Sequence, residues 1–158
     1  MVNIALVGCN GKMGKAVTSA VQSRNDCEIV FGADPFGTPA YDYPVFESLA
    51  VSDKKADVII DFSNPASLDD ILAYALEKKI PCVLCTTGYS PEQVEKIKKA
   101  SESVAVFYSG NMSLGINLLI ELSKEAAKIL GAADFDIEIV EKHHNQKIDA
   151  PSGTALMI

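Results

Sequence analysis

The feature of this sequence that most constrains its fold is a regular alternation of strand-like and helix-like segments. Val2–Val7 is apolar at every position except Asn3, and Gly11–Ser23 then carries apolar side chains at helical spacing. Four more strands are predicted at Cys27–Ala33, Ala56–Phe62, Cys82–Cys85 and Val104–Phe107. Strands at this spacing, with helices between them, form parallel sheets with right-handed crossovers and helices on both faces. We therefore predict an α/β fold with a doubly wound parallel sheet.

Two of the helices begin at recognisable capping sequences. In Ser63-Asn64-Pro65 the asparagine can cap a helix whose first residue is the proline. Ser90-Pro91-Glu92-Gln93 has the spacing of a capping box, in which the serine and the glutamine each bond the other's backbone N–H group. The segment 35–56 is weakly patterned, so we predict a loop with one short helix near Phe46–Ala50.

The pattern changes in the last third of the chain. Ser113–Leu130 has a long apolar stripe and is predicted to be a helix, with Gly131 as its C-terminal cap. Phe135–Val140 alternates apolar and acidic side chains, which is typical of a half-exposed strand. We expect this strand to begin a second, partly solvent-facing sheet, and we place a domain boundary near residue 131.

Charge and hydropathy disfavour several classes of protein. The formal net charge is −7, which disfavours binding to nucleic acid through its phosphates. No apolar run approaches the ~20 residues that a membrane-spanning helix needs. The first apolar stretch lacks a basic start and continues into glycines, so we interpret it as a strand and not as a signal peptide. We expect a cytoplasmic protein with no nucleic-acid or membrane partner.

Cys82 and Cys85 form a CxxC pattern, which raises the question of a redox or zinc site. Because both lie in a predicted strand, positions three apart point to opposite faces and the two sulfurs diverge. We interpret both cysteines as small buried hydrophobic side chains. No metal site is predicted.

A glycine-rich turn, Gly8-Cys9-Asn10-Gly11-Lys12-Met13-Gly14, lies between the first strand and the first helix. Glycines at such a turn let a pyrophosphate approach the backbone at the positive end of a helix. Asp34 ends the second strand about twenty residues further on, where a carboxylate can bind the adenosine ribose hydroxyls. The alternative is a glycine-rich turn without a ligand. We favour a dinucleotide-binding fold of the Rossmann type.

Asp34 also bears on the choice of nicotinamide cofactor. A carboxylate at this position disfavours the 2′-phosphate of NADPH. The next residue is Pro35, so the arginine that often meets this phosphate is absent, and Lys12 is the obvious cation nearby. NADH is therefore favoured, and NADPH remains the alternative.

The ends of other predicted strands offer further contacts, because ligands of open α/β sheets bind at the carboxyl ends of the strands. These ends are Phe62-Ser63, Thr86-Thr87-Gly88 and Ser109-Gly110-Asn111-Met112. They present an aromatic face, hydroxyl groups and backbone groups to a ribose or a nicotinamide. The alternative is ordinary loop chemistry, which would be the better interpretation without the glycine-rich turn.

The densest set of reactive side chains lies in the segment 141–155. His143 and His144 are the chain's two histidines, and Lys147 follows them. Ser152-Gly153-Thr154 is predicted to open a helix, where backbone N–H groups and the Thr154 hydroxyl suit a carboxylate. A lysine adds positive charge, and a histidine can donate a proton near neutral pH. The segment therefore suits an anionic substrate that must be protonated.

Two other interpretations of this segment stay open. Both histidines, together with Glu141 or Asp149, could bind a metal, although neighbouring side chains in an extended stretch point apart. The segment could also be a polar surface loop followed by a capped helix.

Four motifs together resemble the 4-hydroxy-tetrahydrodipicolinate reductase (dihydrodipicolinate reductase) family. They are GxxGxMG at 8–14, TTG at 86–88, NMSxGxN at 111–117 and ExHHxxKxDAPSGTA at 141–155. The last motif is long and specific, and the similarity runs in the family's order over residues 1–155. The resemblance implies NADH- or NADPH-dependent reduction of 4-hydroxy-tetrahydrodipicolinate, a small dicarboxylate, to tetrahydrodipicolinate with loss of water. This reaction serves lysine and diaminopimelate biosynthesis.

The resemblance also implies roles for individual residues. The pyrophosphate and the adenosine ribose would be held by Gly8, Cys9, Asn10, Gly11, Lys12, Met13 and Asp34. The nicotinamide side would be lined by Cys85, Thr86, Thr87, Ser109, Gly110, Asn111 and Met112, with Cys85 in place of the family's usual glycine. His143 resembles the proton donor and Lys147 the second catalytic residue. Substrate-carboxylate contacts are implied at His144, Gly153 and Thr154.

The resemblance divides the chain into a dinucleotide-binding domain, 1–131, and the first, incomplete part of an α+β substrate-binding and catalytic domain, 132–158. Family members continue beyond the position of Ile158, complete the substrate domain and form homotetramers. We therefore expect a truncated chain, whose own activity and tetramer formation stay open. The alternative function is a nucleotide-binding module of the same ancestry without catalysis.

Overall fold

A computed structural model describes residues 1–37, 41–143, 145 and 150–158. The chain forms two compact units, Met1–Ser109 and Gly110–Ile158. These units divide the chain earlier than the predicted boundary near residue 131, because the long helix before that boundary clusters with the second unit. The assignment of 1–131 to a single functional domain stays a prediction.

Among the described residues, six parallel strands form the sheet of the first unit. They are β1 (Val2–Val7), β2 (Cys27–Ala33), β3 (Val45–Phe46), β4 (Val58–Asp61), β5 (Cys82–Leu84) and β6 (Val106–Tyr108), in the order β3-β2-β1-β4-β5-β6. β1 lies in the middle of the sheet. β2 and β3 follow on one side of it, and β4, β5 and β6 then form the other half. The carboxyl ends of β1 and β4 flank this reversal, and open α/β sheets bind their ligands there. The predicted doubly wound parallel sheet is confirmed.

The described part of the first unit also contains the α-helices α1 (Lys12–Gln22), α2 (Leu68–Lys78) and α3 (Pro91–Ser101). The predicted capping box at Ser90 and Gln93 is confirmed, since each side chain bonds the other's backbone N–H. The Asn64 side chain accepts a hydrogen bond from the N–H of Ala66, as predicted, but Pro65 opens a short 3-10 turn that then continues into α2.

The segment 35–56 was the least predictable part of the sheet. Its short helix is a 3-10 turn at Leu49–Val51, close to the predicted position. The strand β3 was not predicted, because two residues after a proline are too few to show alternation. Its pairing with Gly32 and Ala33 of β2 nevertheless forms one edge of the sheet.

The core lies on both faces of the sheet, and β1 shows how one strand serves both. Ala5 and Val7 belong to a large cluster that also contains Phe31, Ile59, Leu68, Ile71 and Leu84. Ile4 and Leu6 alternate with them and pack in a smaller cluster with Cys9 and Ile29. A strand buried on both faces has no polar alternation, which explains the continuous apolar run Ile4–Val7 of β1.

The second unit contains α4 (Leu114–Gly131) and α5 (Gly153–Met157). The predicted C-terminal cap at Gly131 is wrong, because Gly131 is the last helical residue and Ala132 is the cap. The left-handed residue is Asp134, with a φ of 63°, and the N–H of Phe135 bonds the carbonyl of Leu130 at 3.1 Å. The helix thus ends one residue later than predicted, and hydrogen-bonded turns follow it as far as Phe135.

The predicted strand at Phe135–Val140 is also wrong, since the segment has no regular secondary structure. Its apolar side chains are exposed, with Phe135 at 61% and Ile137 at 56%. A strand needs a hydrogen-bonded neighbour, and all six strands of the described residues belong to the sheet of the first unit.

Across the described residues, none of the helices has the length and apolar character needed to cross a membrane.

Candidate functional site

The turn after β1 leads the backbone directly into α1. The Gly8 carbonyl accepts a hydrogen bond from the Gly11 N–H at 3.1 Å. Gly11 is the N-cap of α1, and no side-chain cap bonds the first-turn N–H groups; that turn also has no acidic residue. The positive end of an eleven-residue helix is therefore left open to an anion.

Gly8 and Gly14 are the two positions where this turn requires glycine. Gly8 has a φ of +75°, and a Cβ there would lie 2.6 Å from the Phe62 carbonyl oxygen. A Cβ on Gly14 would collide with the Gly8 carbonyl oxygen and lie 2.5 Å from that of Cys9. These neighbours are backbone atoms, which cannot move aside as a flexible side chain can. The turn is thus closed to side chains, and its shape fits a pyrophosphate against the backbone.

Asp34 lies where the sequence predicted, at the end of β2 and beside the glycine-rich turn. Its Oδ2 accepts a hydrogen bond from the Asn10 N–H at 2.9 Å. Its Oδ1 accepts one from the Phe36 N–H, also at 2.9 Å. The carboxylate therefore fixes the turn and the start of the following loop, and it keeps acceptor capacity for a further donor.

The Cys9 side chain packs under the turn and is not part of the cavity wall, so a contact of Cys9 with the pyrophosphate, which stays a prediction, would involve its backbone. It is fully buried against β2, and burial, assisted by Asp34, raises the pKa of its thiol to about 11. The Tyr41 hydroxyl donates to the Cys9 carbonyl at 2.8 Å. Tyr41 stacks on Tyr43 with ring centroids 4.8 Å apart, and the Tyr43 hydroxyl lies 2.8 Å from Thr18 Oγ1 of α1.

A cavity of about 680 Å³ opens at the carboxyl ends of β1 and β4. This is within the usual size of small-molecule sites, roughly 300–1,000 Å³. Its walls include the predicted residues Gly8, Asn10, Gly11, Asp34, Phe62 and Ser63. Lys12 and Met13, also predicted, are exposed in the first turn of α1 and are not part of the cavity wall.

The end of β5 contributes Cys85, Thr86 and Thr87. Thr86 is buried, Cys85 is half-buried and Thr87 is exposed. Burial and the nearby Asp61 raise the pKa of both Cys82 and Cys85 to about 11. All four cysteines are free. The two cysteines of the CxxC pattern thus stay protonated at neutral pH, in agreement with their interpretation as apolar side chains.

Of the predicted nicotinamide contacts after β6, Ser109 belongs to the first unit and Gly110, Asn111 and Met112 to the second. The Ser109 N–H donates to the Leu84 carbonyl at 3.1 Å, which holds it at the carboxyl edge of the sheet. Asn111 Nδ2 lies 2.9 Å from Thr154 Oγ1. A place beside the nicotinamide stays a prediction for these four residues.

Within the second unit, Glu141 connects the proposed proton donor to the proposed carboxylate-binding turn. Its Oε1 accepts a hydrogen bond from the Ser152 N–H at 2.9 Å. Its Oε2 lies 3.6 Å from Nδ1 of His143. Ser152 is buried and caps α5 by accepting from the Ala155 N–H at 3.1 Å, so the predicted capped helix start is confirmed. Gly153 and Thr154 form the first turn of this helix.

Two predicted site residues, His144 and Lys147, lie outside the described residues, as does Asp149 of the metal alternative. In the part of the chain that the structure describes, no group of three or more His, Cys, Asp or Glu side chains is arranged to hold a metal ion.

The sequence interpretation missed three residues that shape the cavity and its surroundings: Tyr41, Asp61 and Tyr89. Tyr41 lies in the weakly patterned segment, so nothing in the sequence marks it. Asp61 did give a signal, because it is a charged residue at the end of the otherwise apolar strand Val58–Asp61. Tyr89 follows the threonine pair, and its hydroxyl bonds Asp61 at 3.1 Å.

The strand order, with its reversal beside a glycine-rich turn and a cavity, defines an α/β protein of the Rossmann type. Two sequence profiles then cover most of the chain: dihydrodipicolinate reductase, N-terminus, over residues 2–112, and dihydrodipicolinate reductase, C-terminus, over residues 115–158. The chain belongs to the dihydrodipicolinate reductase family.

Individual relatives agree with this assignment. The chain is 52% identical to the 4-hydroxy-tetrahydrodipicolinate reductase of Clostridium tetani (strain Massachusetts / E88) and 49% identical to that of Clostridium novyi (strain NT). All of this chain aligns, to 62% of each relative's length. The solved dipicolinate-bound dihydrodipicolinate reductase from Paenisporosarcina sp. TG-14 is 30% identical, with a TM-score of 0.76, over 99% of this chain and 63% of that one.

Proposed function

We propose that this chain supplies the dinucleotide site and the first part of the substrate site of a 4-hydroxy-tetrahydrodipicolinate reductase. The reaction reduces 4-hydroxy-tetrahydrodipicolinate to tetrahydrodipicolinate with loss of water, in lysine and diaminopimelate biosynthesis. The observation that carries the proposal is the glycine-rich turn, open to an anion and beside a cavity at the point where the strand order reverses. Family membership supports the choice of substrate.

The residues of the first unit fit a nicotinamide dinucleotide. Backbone N–H groups in the first turn of α1 would bind the pyrophosphate, and Asp34 would accept hydrogen bonds from the adenosine ribose. Thr86, Thr87 and Ser109 would line the nicotinamide side, with Gly110–Met112. When bound, the reduced nicotinamide supplies the hydride.

Asp34 favours NADH over NADPH. Its two carboxylate oxygens already accept from the Asn10 and Phe36 N–H groups, and further lone pairs can accept from ribose hydroxyls. A 2′-phosphate would bring negative charge against this carboxylate. Repulsion between like charges at a few ångströms costs more in a partly buried cleft than in bulk water.

The residues of the second unit would handle the substrate. His143 would donate the proton, with its Nδ1 side facing Glu141. Lys147 would be the second catalytic residue, and His144 would bind a carboxylate of the substrate together with Gly153 and Thr154 in the first turn of α5. The related Paenisporosarcina reductase has dipicolinate bound, and dipicolinate is likewise a ring dicarboxylate, which supports this class of substrate.

Two measurements on this chain test the proposal separately. Calorimetric titration should show NADH binding at least as tight as NADPH binding, and a clear preference for NADPH would contradict the role of Asp34. Oxidation of NADH in the presence of 4-hydroxy-tetrahydrodipicolinate tests catalysis. Binding without turnover would instead favour the nucleotide-binding module, and no binding of either cofactor would reject the proposed function.

A further inference from the structure

Asp61 is a charged residue in the centre of the sheet. It is the last residue of β4, pairs with Val7 of β1 on one side and Leu84 of β5 on the other, and is 0% exposed. Burying a carboxylate costs several kcal/mol unless hydrogen-bond donors surround it. A residue kept in such a place needs an explanation beyond the packing of the strand.

Three donors converge on this carboxylate. Oδ1 accepts from the Ser63 N–H at 2.9 Å and from the Ser63 hydroxyl at 2.5 Å. Oδ2 accepts from the Tyr89 hydroxyl at 3.1 Å. Burial and the charge of Asp61 raise the pKa of Tyr89, so this tyrosine stays protonated and donates.

These bonds join the turns that follow two neighbouring strands. Phe62 and Ser63 come directly after β4 and form part of the cavity wall, while Tyr89 lies in the loop between β5 and α3. The Gly8 turn is packed against the same Phe62 carbonyl. A movement of the Phe62–Ser63 turn would therefore change both the wall of the cavity and the support of the glycine-rich turn.

The hydrogen bond that the Ser63 hydroxyl donates to Asp61 also fixes where the hydroxyl proton points. A serine hydroxyl has one proton and two lone pairs. Because the proton is directed to Asp61 Oδ1, the Ser63 hydroxyl has only acceptor capacity left for a ligand of the cavity that Ser63 lines. It is matched to a ligand group that donates, such as a sugar hydroxyl, and mismatched to a phosphate oxygen.

We infer that Asp61 is a positioning residue of the dinucleotide site, which holds the Ser63 hydroxyl as a hydrogen-bond acceptor and ties the Phe62–Ser63 turn to Tyr89. The inference rests on the proposed function, since it assumes that a dinucleotide occupies this cavity. Asp61 itself does not touch the ligand and acts through Ser63.

The test is NADH affinity, measured by calorimetry, in Asp61→Ala, Ser63→Ala and the double variant. Each single change should weaken NADH binding about tenfold, the value of one good hydrogen bond to a charged or well-placed group. The NADH dissociation constant of the double variant should be at most about threefold above that of the single variant that binds NADH less tightly. The reason is that both changes remove the same contact. Asp57→Asn is the matched control, since Asp57 lies just before β4, is exposed, and should leave NADH affinity unchanged.

Asp61→Asn keeps the shape of the side chain and the acceptor for Ser63 but removes the charge. Its Oδ1 can still accept from Ser63 while its Nδ2 donates to Tyr89, whose hydroxyl then accepts, so it should recover NADH affinity to within about threefold of the wild type. If Asp61→Ala does not fold, Ser63→Ala and Asp61→Asn test the inference without it: about tenfold weaker NADH binding is expected in Ser63→Ala and near-wild-type binding in Asp61→Asn, and wild-type affinity in Ser63→Ala would contradict the inference.

Two results would overturn the inference while leaving the proposed function intact. One is wild-type NADH affinity in an Asp61→Ala protein of lowered thermal stability, which would make Asp61 structural only. The other is full additivity of the Asp61→Ala and Ser63→Ala effects. Absence of NADH binding by the wild-type chain would reject the proposed function, and this inference with it.

Discussion

The glycine-rich turn of the first unit and the His143 segment of the second differ in how their polar groups are held. Around the turn, Asp34 accepts from two backbone N–H groups and Tyr41 supports the Cys9 carbonyl. In the second unit, His143 is 40% exposed and its Nδ1 lies 3.6 Å from Glu141. The proposed dinucleotide site is thus held by several short hydrogen bonds of the fold, whereas the described contact of the proposed proton donor is longer and partly exposed.

The two regions also differ in how they bury apolar surface. In the first unit each strand has neighbours, and the side chains of β1 are buried on both faces of the sheet. In the second, α4 exposes Leu114, Leu118 and Leu122 at 86%, 58% and 59%. Substitutions in the first unit should therefore affect stability and cofactor affinity together, whereas those in the His143 segment of the second unit should affect turnover alone.

The largest effect is expected at His143. His143→Gln should lower kcat by about 10²–10⁴, the usual contribution of a positioned proton donor, with NADH affinity unchanged. Lys147→Ala should be comparably harmful. Steady-state kinetics in a form of the protein that turns over will measure both, and wild-type turnover in either variant would remove that residue from the mechanism.

Gly14→Ala should lower the free energy of unfolding by about 3 kcal/mol, because its Cβ collides with backbone and overpacking of this kind costs 1–3 kcal/mol or more. Gly131→Ala is the matched control, since a Cβ there meets nothing within 4 Å and alanine is the better helix former. Urea unfolding will compare them. Equal stability of the two variants would show that the turn around Gly14 is not as tight as described.

Asp34→Ala should weaken NADH binding about tenfold and NADPH binding less, because only NADH has the free 2′-hydroxyl that the carboxylate can bind. Calorimetric titration of each cofactor into the wild type and the variant gives the four dissociation constants that are compared. Equal losses for the two cofactors would mean that Asp34 supports the turn without selecting the cofactor.

The smallest effect is expected at Glu141. Glu141→Gln keeps an acceptor for the Ser152 N–H but removes the charge beside His143. The Glu141 Oε2 to His143 Nδ1 contact is long, at 3.6 Å, and His143 is 40% exposed, so solvent screening should keep its contribution below about 1 kcal/mol and the fall in kcat below about fivefold. Glu141→Ala removes the bond to Ser152 as well and should be worse. If the two variants have the same kcat and KM, the contact between Glu141 and Ser152 has no role in the reaction.

Structural features that depend on neighbouring residues were predicted from the sequence, whereas contacts between residues far apart in the chain were not. β1 and β2 have the predicted bounds, and the capping box at Ser90 was predicted, because apolar runs and caps are set by neighbouring residues. The Asp34 carboxylate was placed correctly because β1 and β2 follow each other in a known motif. The strand β3, the contacts of Tyr41 and the bond from Tyr89 to Asp61 join residues far apart in sequence, and no local pattern marks such pairs. Phe135–Val140 shows the converse, since alternation predicts a strand only where a neighbouring strand exists to pair with it.

Hydrogen exchange with and without NADH tests the central claim most directly, that the cavity between the ends of β1 and β4 holds the dinucleotide. Without NADH, amides of β1, β4 and β5 should be protected, and those of 135–140 should exchange fast. Addition of NADH should slow exchange at Gly8–Lys15 and at Phe62–Ser63, while 135–140 stays unchanged. Binding of NADH that leaves the amides of Gly8–Lys15 and Phe62–Ser63 unaffected would place the cofactor elsewhere and contradict the account.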